Sequence, residues 1–135
     1  MSVNARPLPV LNADTKPFWE ACRRHELRVQ RCRECGRLRF PPLPSCPHCA
    51  SLEAEWLPVS GKGTIYTFTV ARHAVHPAFP APYVVALVEL EDAEGVRLTT
   101  RIVDCDPAAV SVGAPVEVIF EDVDEQFSLP LFRLV

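Results

Sequence analysis

The sequence predicts a mainly β protein with a small α content: an N-terminal helix, a small cysteine-stapled module and a five-stranded barrel. Three observations lead to this prediction. Two Cys-x-x-Cys pairs stand ten residues apart, a short amphipathic segment precedes them, and runs of β-branched and aromatic residues separated by turns follow them. A chain of 135 residues has room for about one domain, so these parts share a single modest core.

The N-terminal residues predict an extended arm followed by one short helix. Two prolines interrupt residues 1–13, which show no sustained periodicity. Asp14 or Thr15 is placed to cap a helix that runs from about Pro17 to His25. A helix this short is marginal alone, so its apolar face must pack on the rest of the protein or on a partner. That face comprises Phe18, Ala21, Cys22 and His25, with Trp19 beside it.

The two cysteine pairs are the most specific chemical signal in the chain. They read Cys32-Arg33-Glu34-Cys35 and Cys46-Pro47-His48-Cys49, and a strand predicted over Leu27–Cys32 leads into the first. Zinc takes thiolates at about 2.3 Å, and structural zinc sites are closed by four protein ligands. The residue after the first pair, Gly36, suits a turn at positive φ. The sequence therefore predicts a zinc site with the ligands Cys32, Cys35, Cys46 and Cys49.

We expect this zinc to support folding rather than catalysis. A catalytic zinc keeps one position open for water, and four thiolates leave none. His48 could replace one cysteine, but the four thiols make that unnecessary. The alternative, two structural disulfides, requires an oxidising compartment. The first residues show no charged segment followed by an apolar run, which indicates a cytoplasmic protein, and no apolar run is long enough for a membrane span.

The residues after the second cysteine pair predict strands throughout. Trp56–Val59 leads into the turn Ser60-Gly61-Lys62-Gly63, and five strands follow it. Residues 106–109 predict a single helical turn between the third and fourth of these strands. Five strands with this insert match a small OB-type Greek-key barrel. The five are Thr64–Val70, Tyr83–Leu90, Val96–Val103, Pro115–Glu121 and Phe127–Leu134.

Charge is divided unevenly along the chain. Residues 1–50 hold nine Lys or Arg and four Asp or Glu, a net charge of +5. Residues 51–135 hold five Lys or Arg and thirteen Asp or Glu, a net charge of −8, so the whole chain carries −3. A polyanion, either a nucleic acid or a phosphorylated cofactor, would therefore meet the N-terminal half. The alternative interpretation is a solvated arginine face without a ligand.

The two remaining cysteines are predicted to be structural rather than reactive. Cys22 falls on the apolar helix face and is expected in the core. Cys105 stands between Asp104 and Asp106, whose negative charges raise a thiol pKa instead of activating the thiol. No Gly-x-Ser-x-Gly, P-loop or Gly-x-Gly-x-x-Gly string argues for acyl transfer, phosphoryl transfer or dinucleotide binding.

The loop over residues 72–82 is rich in proline and apolar residues. His73 and His76 are interpreted as surface histidines of this loop. Phe79 lies near its tip. A stiff apolar loop loses little conformational entropy on docking, so Phe79 either contacts a partner or a pantetheine group, or tucks under the rim of the barrel.

Several strings, in this order, resemble the zinc-ribbon/OB-fold family of acyl-CoA-associated proteins, known as domain of unknown function 35. The resemblance covers nearly the whole chain after residue 14, and the order of the strings is more specific than any one of them. The strings are Phe18-Trp19-Glu20, Glu26-Leu27, Cys32-Arg33-Glu34-Cys35-Gly36, Phe40-Pro41-Pro42, Cys46-Pro47-His48-Cys49, Trp56, residues 60–69, residues 82–90 and residues 112–118.

The resemblance implies an N-terminal arm and helix over residues 1–26, a rubredoxin-like zinc ribbon over 27–56 and an OB-fold domain over 57–135. It also implies a non-catalytic accessory subunit of a thiolase-like or hydratase-like enzyme that helps to bind an acyl-CoA. Under that hypothesis Phe18, Trp19 and Phe79 are apolar contacts to a partner, and Arg37 and Arg39 face the phosphates of coenzyme A.

A nucleic-acid-binding module is the alternative function, since zinc ribbons and OB barrels also bind nucleic acids. It requires a basic groove with exposed stacking aromatic residues. The barrel half is acidic. Tyr66 and Phe68 are two residues apart on one predicted strand, so their side chains point the same way and can be explained by packing in the core or on one face, without stacking on bases. Nucleic acid is therefore not the expected partner. An independent enzyme is disfavoured because no acid/base or nucleophile constellation is visible.

Overall fold

The computed structural model describes residues 7–135, which form one α-helix, a three-stranded sheet and a closed five-stranded barrel. Residues 1–6, which include Arg6 of the charge count and the start of the predicted arm, lie outside the described residues. Helix α1 spans Lys16–Arg23. The strands are β1 Leu27–Cys32, β2 Leu38–Arg39, β3 Ala54–Val59, β4 Lys62–Ala71, β5 Tyr83–Leu90, β6 Arg97–Val103, β7 Pro115–Asp122 and β8 Ser128–Leu134.

Helix α1 begins without the predicted side-chain cap. Thr15 occupies the N-cap position but its side chain makes no capping hydrogen bond. Asn12 Oδ1 instead accepts from the backbone N–H groups of Asp14 and Thr15, at 2.9 Å each, and so forms the turn that leads into the helix. Pro17 lies in the first turn, as predicted. The buried face consists of Phe18, Ala21 and Cys22.

The predicted helix extends two residues too far. Helix α1 ends at Arg23, and His25 has a left-handed backbone with φ of 59°, so His25 does not belong to the apolar helix face. Its exposed ring stacks on Phe120 with centroids 5.1 Å apart, and Nε2 lies 2.7 Å from Asp122 Oδ1. The helical period placed His25 on that face, but the chain turns into β1 before the period is completed.

The ribbon sheet has the order β2-β1-β3, with both pairs antiparallel. Strand β1 spans the predicted Leu27–Cys32, while β3 starts at Ala54, two residues before the predicted Trp56. Cys32 pairs with Ala54 at one end of the β1–β3 ladder, and Leu27 pairs with Val59 at the other. The central strand β1 therefore ends at Cys32, the first residue of the first cysteine pair.

The barrel confirms the predicted OB-fold. Its strand order is β4-β5-β6-β8-β7, and β7 pairs back with β4 to close the ring. Strands β6 and β8 pair in parallel, whereas the other neighbours pair antiparallel. A 3₁₀ turn at Pro107–Ala109 sits between β6 and β7, and Asp106 Oδ1 caps it by accepting from Ala108 N–H at 2.9 Å.

A β-bulge in β4 corrects one prediction about side-chain direction. The ladder with β5 shifts register between Ile65 and Thr67, so two consecutive residues, Tyr66 and Thr67, are both exposed. Ile65 is buried, and Phe68 packs against the same core. Tyr66 and Phe68 consequently point to different environments, although strict alternation would give them one face.

Helix α1 packs on both the ribbon and the barrel. The Phe18 ring lies 5.0 Å from the ring of Phe40, which follows β2, and the Trp19 ring lies 6.0 Å from that of Phe127, which precedes β8. One buried apolar cluster joins α1, the ribbon and the barrel, with Phe18, Cys22, Val29, Ile65, Val88 and Phe132 among its members. The two small modules therefore share one core.

None of the helices among residues 7–135 has the length and apolar character needed to cross a lipid bilayer.

Candidate metal centre and neighbouring surfaces

The two cysteine knuckles have the same backbone geometry. In the first, Gly36 N–H donates to Cys32 O at 2.9 Å, and Gly36 has φ of 77°. In the second, Ala50 N–H donates to Cys46 O at 2.8 Å, and Ala50 has φ of 64°. Each turn reverses the chain immediately after the second cysteine, which brings both sulfur atoms of a pair to one side.

The four sulfur atoms of the knuckles converge. All four lie within 4.8 Å of one another, with Cys32 Sγ 3.5 Å from Cys49 Sγ and Cys35 Sγ 3.6 Å from Cys46 Sγ. None of the four is in a disulfide. Zinc–sulfur bonds of about 2.3 Å in a tetrahedron require sulfur–sulfur separations of about 3.8 Å, so the donor set fits a single zinc ion.

The knuckle backbone favours the thiolate form that metal binding requires. The N–H of Cys35 hydrogen-bonds to Cys32 and lowers the pKa of the Cys32 thiol to about 6. The N–H of Cys49 acts on Cys46 in the same way and lowers the pKa of that thiol. A backbone hydrogen bond from Ser51 lowers the pKa of Cys49, but desolvation and hydrogen bonds with the other three thiols outweigh it and raise that pKa to about 12, because the thiols share protons when no metal lies between them. Cys32 and Cys46 are buried, whereas Cys35 and Cys49 are exposed. The four cysteines can occupy all four coordination positions of a metal ion, which suits a structural role.

Arg39, predicted as a phosphate contact, is used inside the ribbon. Its side chain is only 8% exposed, and Nε donates to Gln30 Oε1 at 2.9 Å. Nη2 donates to Leu43 O at 3.2 Å, and Gln30 Oε1 also accepts from Leu43 N–H. The guanidinium therefore ties β1 to the loop between the two cysteine pairs, while its Nη1 is buried without a hydrogen-bond partner among the described residues. The phosphate contact of Arg39 stays a prediction.

Arg37 differs from Arg39 in being exposed. It lies with His48 along a shallow groove beside the second knuckle, where His48 N–H donates to Cys46 Sγ at 3.4 Å. The phosphate contact of Arg37 stays a prediction. The two arginines alternate along the chain, and only the folded ribbon distinguishes the exposed one from the buried one.

The three predicted apolar contacts occupy different environments. Phe18 is 4% exposed and belongs to the core, Trp19 is half-buried beside it, and Phe79 is half-buried. The Phe79 ring lies 5.7 Å from the ring of His76 and 5.4 Å from Arg101 Cζ. The ring of Phe79 thus packs on its own chain, close to the barrel. Phe18 contributes to the wall of a groove rather than standing out as a surface anchor.

A cleft of about 520 Å³ crosses the outer surface of the barrel next to α1. Sequence reasoning identified only two of its residues, Phe18 and Trp19, as contacts. Alternation along β6 indicates that Arg97, Thr99 and Arg101 share one face, but it does not reveal the elements that face them. The cleft is lined by Phe18, Trp19, Phe40, Pro41, Val85, residues 97–101 and residues 129–131.

A hydrogen-bonded carboxylate lies where α1 meets the barrel. Asp122 Oδ1 accepts from His25 Nε2 at 2.7 Å and from the hydroxyl of Ser128. The hydrogen bond from His25 lowers the pKa of Asp122, and the bond from Ser128 acts in the same direction. His25 and Ser128 both donate to the Asp122 carboxylate, which lies between them, so the His25 ring is not placed to accept a proton from the Ser128 hydroxyl. This order favours a structural clasp over nucleophilic catalysis.

The other two cysteines are poor nucleophiles. Burial raises the pKa of the Cys22 thiol to about 12, in agreement with its predicted core position. Burial also raises the pKa of Cys105, and the charges of Asp106 and Asp104 act in the same direction. Neither thiol has the lowered pKa of a reactive cysteine.

Comparison with known proteins agrees with this architecture. Residues 19–54 match the family described as "ChsH2, rubredoxin-like zinc ribbon domain", and residues 56–121 match "ChsH2, C-terminal OB-fold domain". A solved structure titled "Ltp2-ChsH2(DUF35) aldolase" includes a similar chain, with a TM-score of 0.86 and 41% identity, covering 94% of this chain and 98% of that one.

Two curated relatives differ in length. A "Probable enoyl-CoA hydratase alpha subunit" of Thermomonospora curvata is 44% identical over 95% of this chain, yet the matched part is only 40% of that protein. A "DUF35 domain-containing scaffold protein" of Methanocaldococcus jannaschii is 44% identical over 70% of this chain and 67% of its own length. From the two family matches and the scaffold relative, the chain belongs to the DUF35 family, in which a ChsH2-type zinc ribbon precedes an OB-fold domain.

Proposed function

We propose that this chain is a non-catalytic accessory module of an acyl-CoA-processing enzyme assembly, with a thiolase-like or hydratase-like subunit as its partner. The observation that carries the proposal is the family match over both modules. One relative is named a scaffold protein, another a hydratase alpha subunit, and a similar solved chain is titled as part of an aldolase. The cysteines also favour a non-catalytic role. Four of them converge on a single metal site and leave no coordination position open, and the other two, Cys22 and Cys105, have raised pKa values.

In this proposal Cys32, Cys35, Cys46 and Cys49 hold a structural zinc ion. The ion would supply the ribbon with the cross-link that its small core lacks. The unlinked thiols fit a reducing compartment, which supports the proposed cytoplasmic location. We also propose the division into an arm and helix over 1–26, a ribbon over 27–56 and a barrel over 57–135. The shared core indicates that these parts act as one unit.

The proposed ligand of the assembly is a coenzyme A thioester held between this chain and its partner. Arg37 remains available on the ribbon surface for a phosphate. Two other ribbon arginines are engaged with acids: Arg28 Nη2 lies 2.9 Å from Glu26 Oε2, and Arg31 Nη1 lies 3.8 Å from Glu55 Oε1. These pairs reduce the positive field of the N-terminal half, which also weakens the case for a nucleic-acid ligand.

Affinity purification from the native host tests the accessory role. We expect the tagged chain to retain an acyl-CoA enzyme subunit in stoichiometric amount, identified by mass spectrometry. Recovery of nucleic acid, or of the chain alone under conditions in which it carries zinc, would contradict the proposal.

A further inference from the structure

The buried charge of Arg39 has no acidic partner. Among residues 7–135, no Asp or Glu forms an ion pair with its guanidinium. Its hydrogen bonds go to the neutral oxygens Gln30 Oε1 and Leu43 O, and Nη1 is buried without a partner in the same part of the chain. Because the side chain is only 8% exposed, water screens the charge poorly. A buried cation is costly unless a nearby anion compensates it.

The ribbon sheet places Arg39 on the same side as the first cysteine. Arg39 stands opposite Gln30 in the ladder of β1 and β2, and the hydrogen bond between their side chains shows that both lie on one face. Gln30 and Cys32 are buried, whereas Arg31 between them is exposed. Alternate residues of a strand share a face and are about 7 Å apart along it, so Cys32 lies on the face of Arg39.

A groove of about 340 Å³ brings Arg39 close to the second cysteine pair as well. Its basic residues are the two arginines and His48, and no Asp or Glu lines it within residues 7–135. Arg39 therefore lies near one buried cysteine of each pair. The groove is lined by Arg37, Leu38, Arg39, Cys46, Pro47 and His48.

The four thiolates of the candidate metal centre provide negative charge at this place. Four thiolates around one divalent zinc ion form a dianion. Two of its ligands, Cys32 and Cys46, are buried, so this charge is also poorly screened by water. A buried cation and a buried dianion thus lie on the same side of a small sheet.

We propose that Arg39 is the charge partner of the metal centre: its buried guanidinium stabilises the zinc–thiolate dianion and so raises the affinity of the four cysteines for zinc. Arg39 is a positioning residue and not a ligand, because a guanidinium has no lone pair to offer to a metal. The inference rests on the proposed structural zinc site. It depends neither on the accessory role nor on coenzyme A.

Zinc affinity of the full-length chain, measured by competition with a chelator of known affinity, tests the proposal. Arg39→Gln should lower the affinity by about tenfold or more, the usual effect of removing a group that supports metal ligands. Arg39→Lys keeps the charge and should recover most of this loss. Arg37→Gln, at an exposed arginine of the same groove, should change the affinity by less than about threefold, because water screens that charge. Equal affinities of the wild type and Arg39→Gln would overturn the proposal.

The reduction potential of the iron-substituted protein distinguishes a charge effect from a loss of packing. Reduction of one ferric ion to ferrous adds one negative charge to the centre, so a nearby cation raises the potential. Arg39→Gln should therefore lower the potential, and Arg39→Lys should keep it near the wild-type value. If Arg39→Gln merely loosened the ribbon, water would enter, stabilise the more highly charged reduced state and raise the potential. An unchanged or raised potential would contradict the proposed charge role.

Metal content separates this inference from the proposed zinc site. We expect the purified wild-type chain to hold one equivalent of zinc, measured by atomic emission. If it does, and Arg39→Gln binds zinc equally tightly, the role of Arg39 is wrong while the zinc site stands. If the wild type holds no zinc after expression in zinc-supplemented medium, the zinc site is wrong and the inference fails with it.

Discussion

The backbone of Ala50 is strained, whereas that of Gly36 is not. Both residues close equivalent knuckle turns with positive φ, 64° and 77°, but only Ala50 has a Cβ that disfavours this region. A non-glycine residue there costs about 1–2 kcal/mol, offset in part by the lower entropy of alanine in the unfolded chain. The second knuckle is thus the more strained of the two.

Ala50→Gly should raise the free energy of unfolding of the zinc-bound protein by about 1 kcal/mol. Gly36→Ala should lower it by a similar amount, because a Cβ there meets nothing closer than 3.7 Å and the cost comes from the backbone alone. Urea unfolding at fixed zinc concentration measures both. Equal effects of the same sign would show that backbone strain does not distinguish the knuckles.

The carboxylate of Asp122 makes stability depend on pH. Hydrogen bonds from His25 and Ser128 lower its pKa in the folded state. A carboxyl whose folded pKa lies below the unfolded value of about 3.9 stabilises the protein above that value, and the stabilisation is lost as pH falls through the folded pKa.

Asp122→Asn should therefore destabilise the protein near neutral pH, and the difference from the wild type should shrink as pH falls below about 4. Urea unfolding of both proteins over this range gives the difference between their free energies of unfolding at each pH. Loss of zinc in acid affects both proteins equally, so it does not contribute to this difference. Glu125→Gln, at an exposed carboxyl of the neighbouring turn, is the control and should show no such convergence. A difference that is constant with pH would rule out the carboxylate as its source.

At the scale of elements, α1 is the piece that joins the two small modules. Eight residues are too few for a stable isolated helix, so its conformation depends on the packing of Phe18, Ala21 and Cys22. Phe18 contacts the ribbon through Phe40, and Trp19 contacts the barrel through Phe127.

Phe18→Ala should lower the free energy of unfolding by about 3–5 kcal/mol, the usual cost of removing a buried phenylalanine. Glu20→Ala, on the exposed side of the same helix, should change it by less than about 0.5 kcal/mol. Chemical denaturation monitored by circular dichroism provides both values. A small effect of Phe18→Ala would mean that the helix is dispensable for joining ribbon and barrel.

At the scale of the whole molecule, one apolar cluster extends from the ribbon through α1 into the barrel. This continuity predicts that the zinc-bound protein unfolds in one cooperative transition, since neither module can lose its packing without exposing the other. The two tryptophans report on different parts, because Trp19 belongs to α1 and Trp56 to β3.

Removal of zinc with a chelator should separate the transitions. Zinc contributes about 10–16 kcal/mol to small metal-bound modules, so the ribbon should unfold first while the closed barrel persists. Fluorescence of Trp56, measured in a Trp19→Phe variant, should then change at lower urea than the far-ultraviolet circular dichroism of the barrel. Restoring zinc should bring the two curves together again. Coincident curves without zinc would show that the barrel alone stabilises the ribbon.

Much of this fold could be predicted because its determinants are local. The β5 prediction, Tyr83–Leu90, agrees with the structure at both ends, since alternation and the flanking turns are visible in the sequence. The bulge at Tyr66 and the early end of α1 could not be predicted in this way. Both depend on contacts with strands that are distant in the chain.

The sequence by itself determined the element types, their order and the four thiols of the candidate metal centre, because periodicity and ligand spacing are properties of neighbouring residues. Only the tertiary structure decided which arginines face solvent and where a cleft opens. Arg39 is buried because Gln30 and the loop at Leu43 close around it, and the cleft exists because β6 and β8 separate beneath an aromatic wall from α1 and the ribbon. These features arise from the packing of segments far apart in the chain, so no local pattern encodes them.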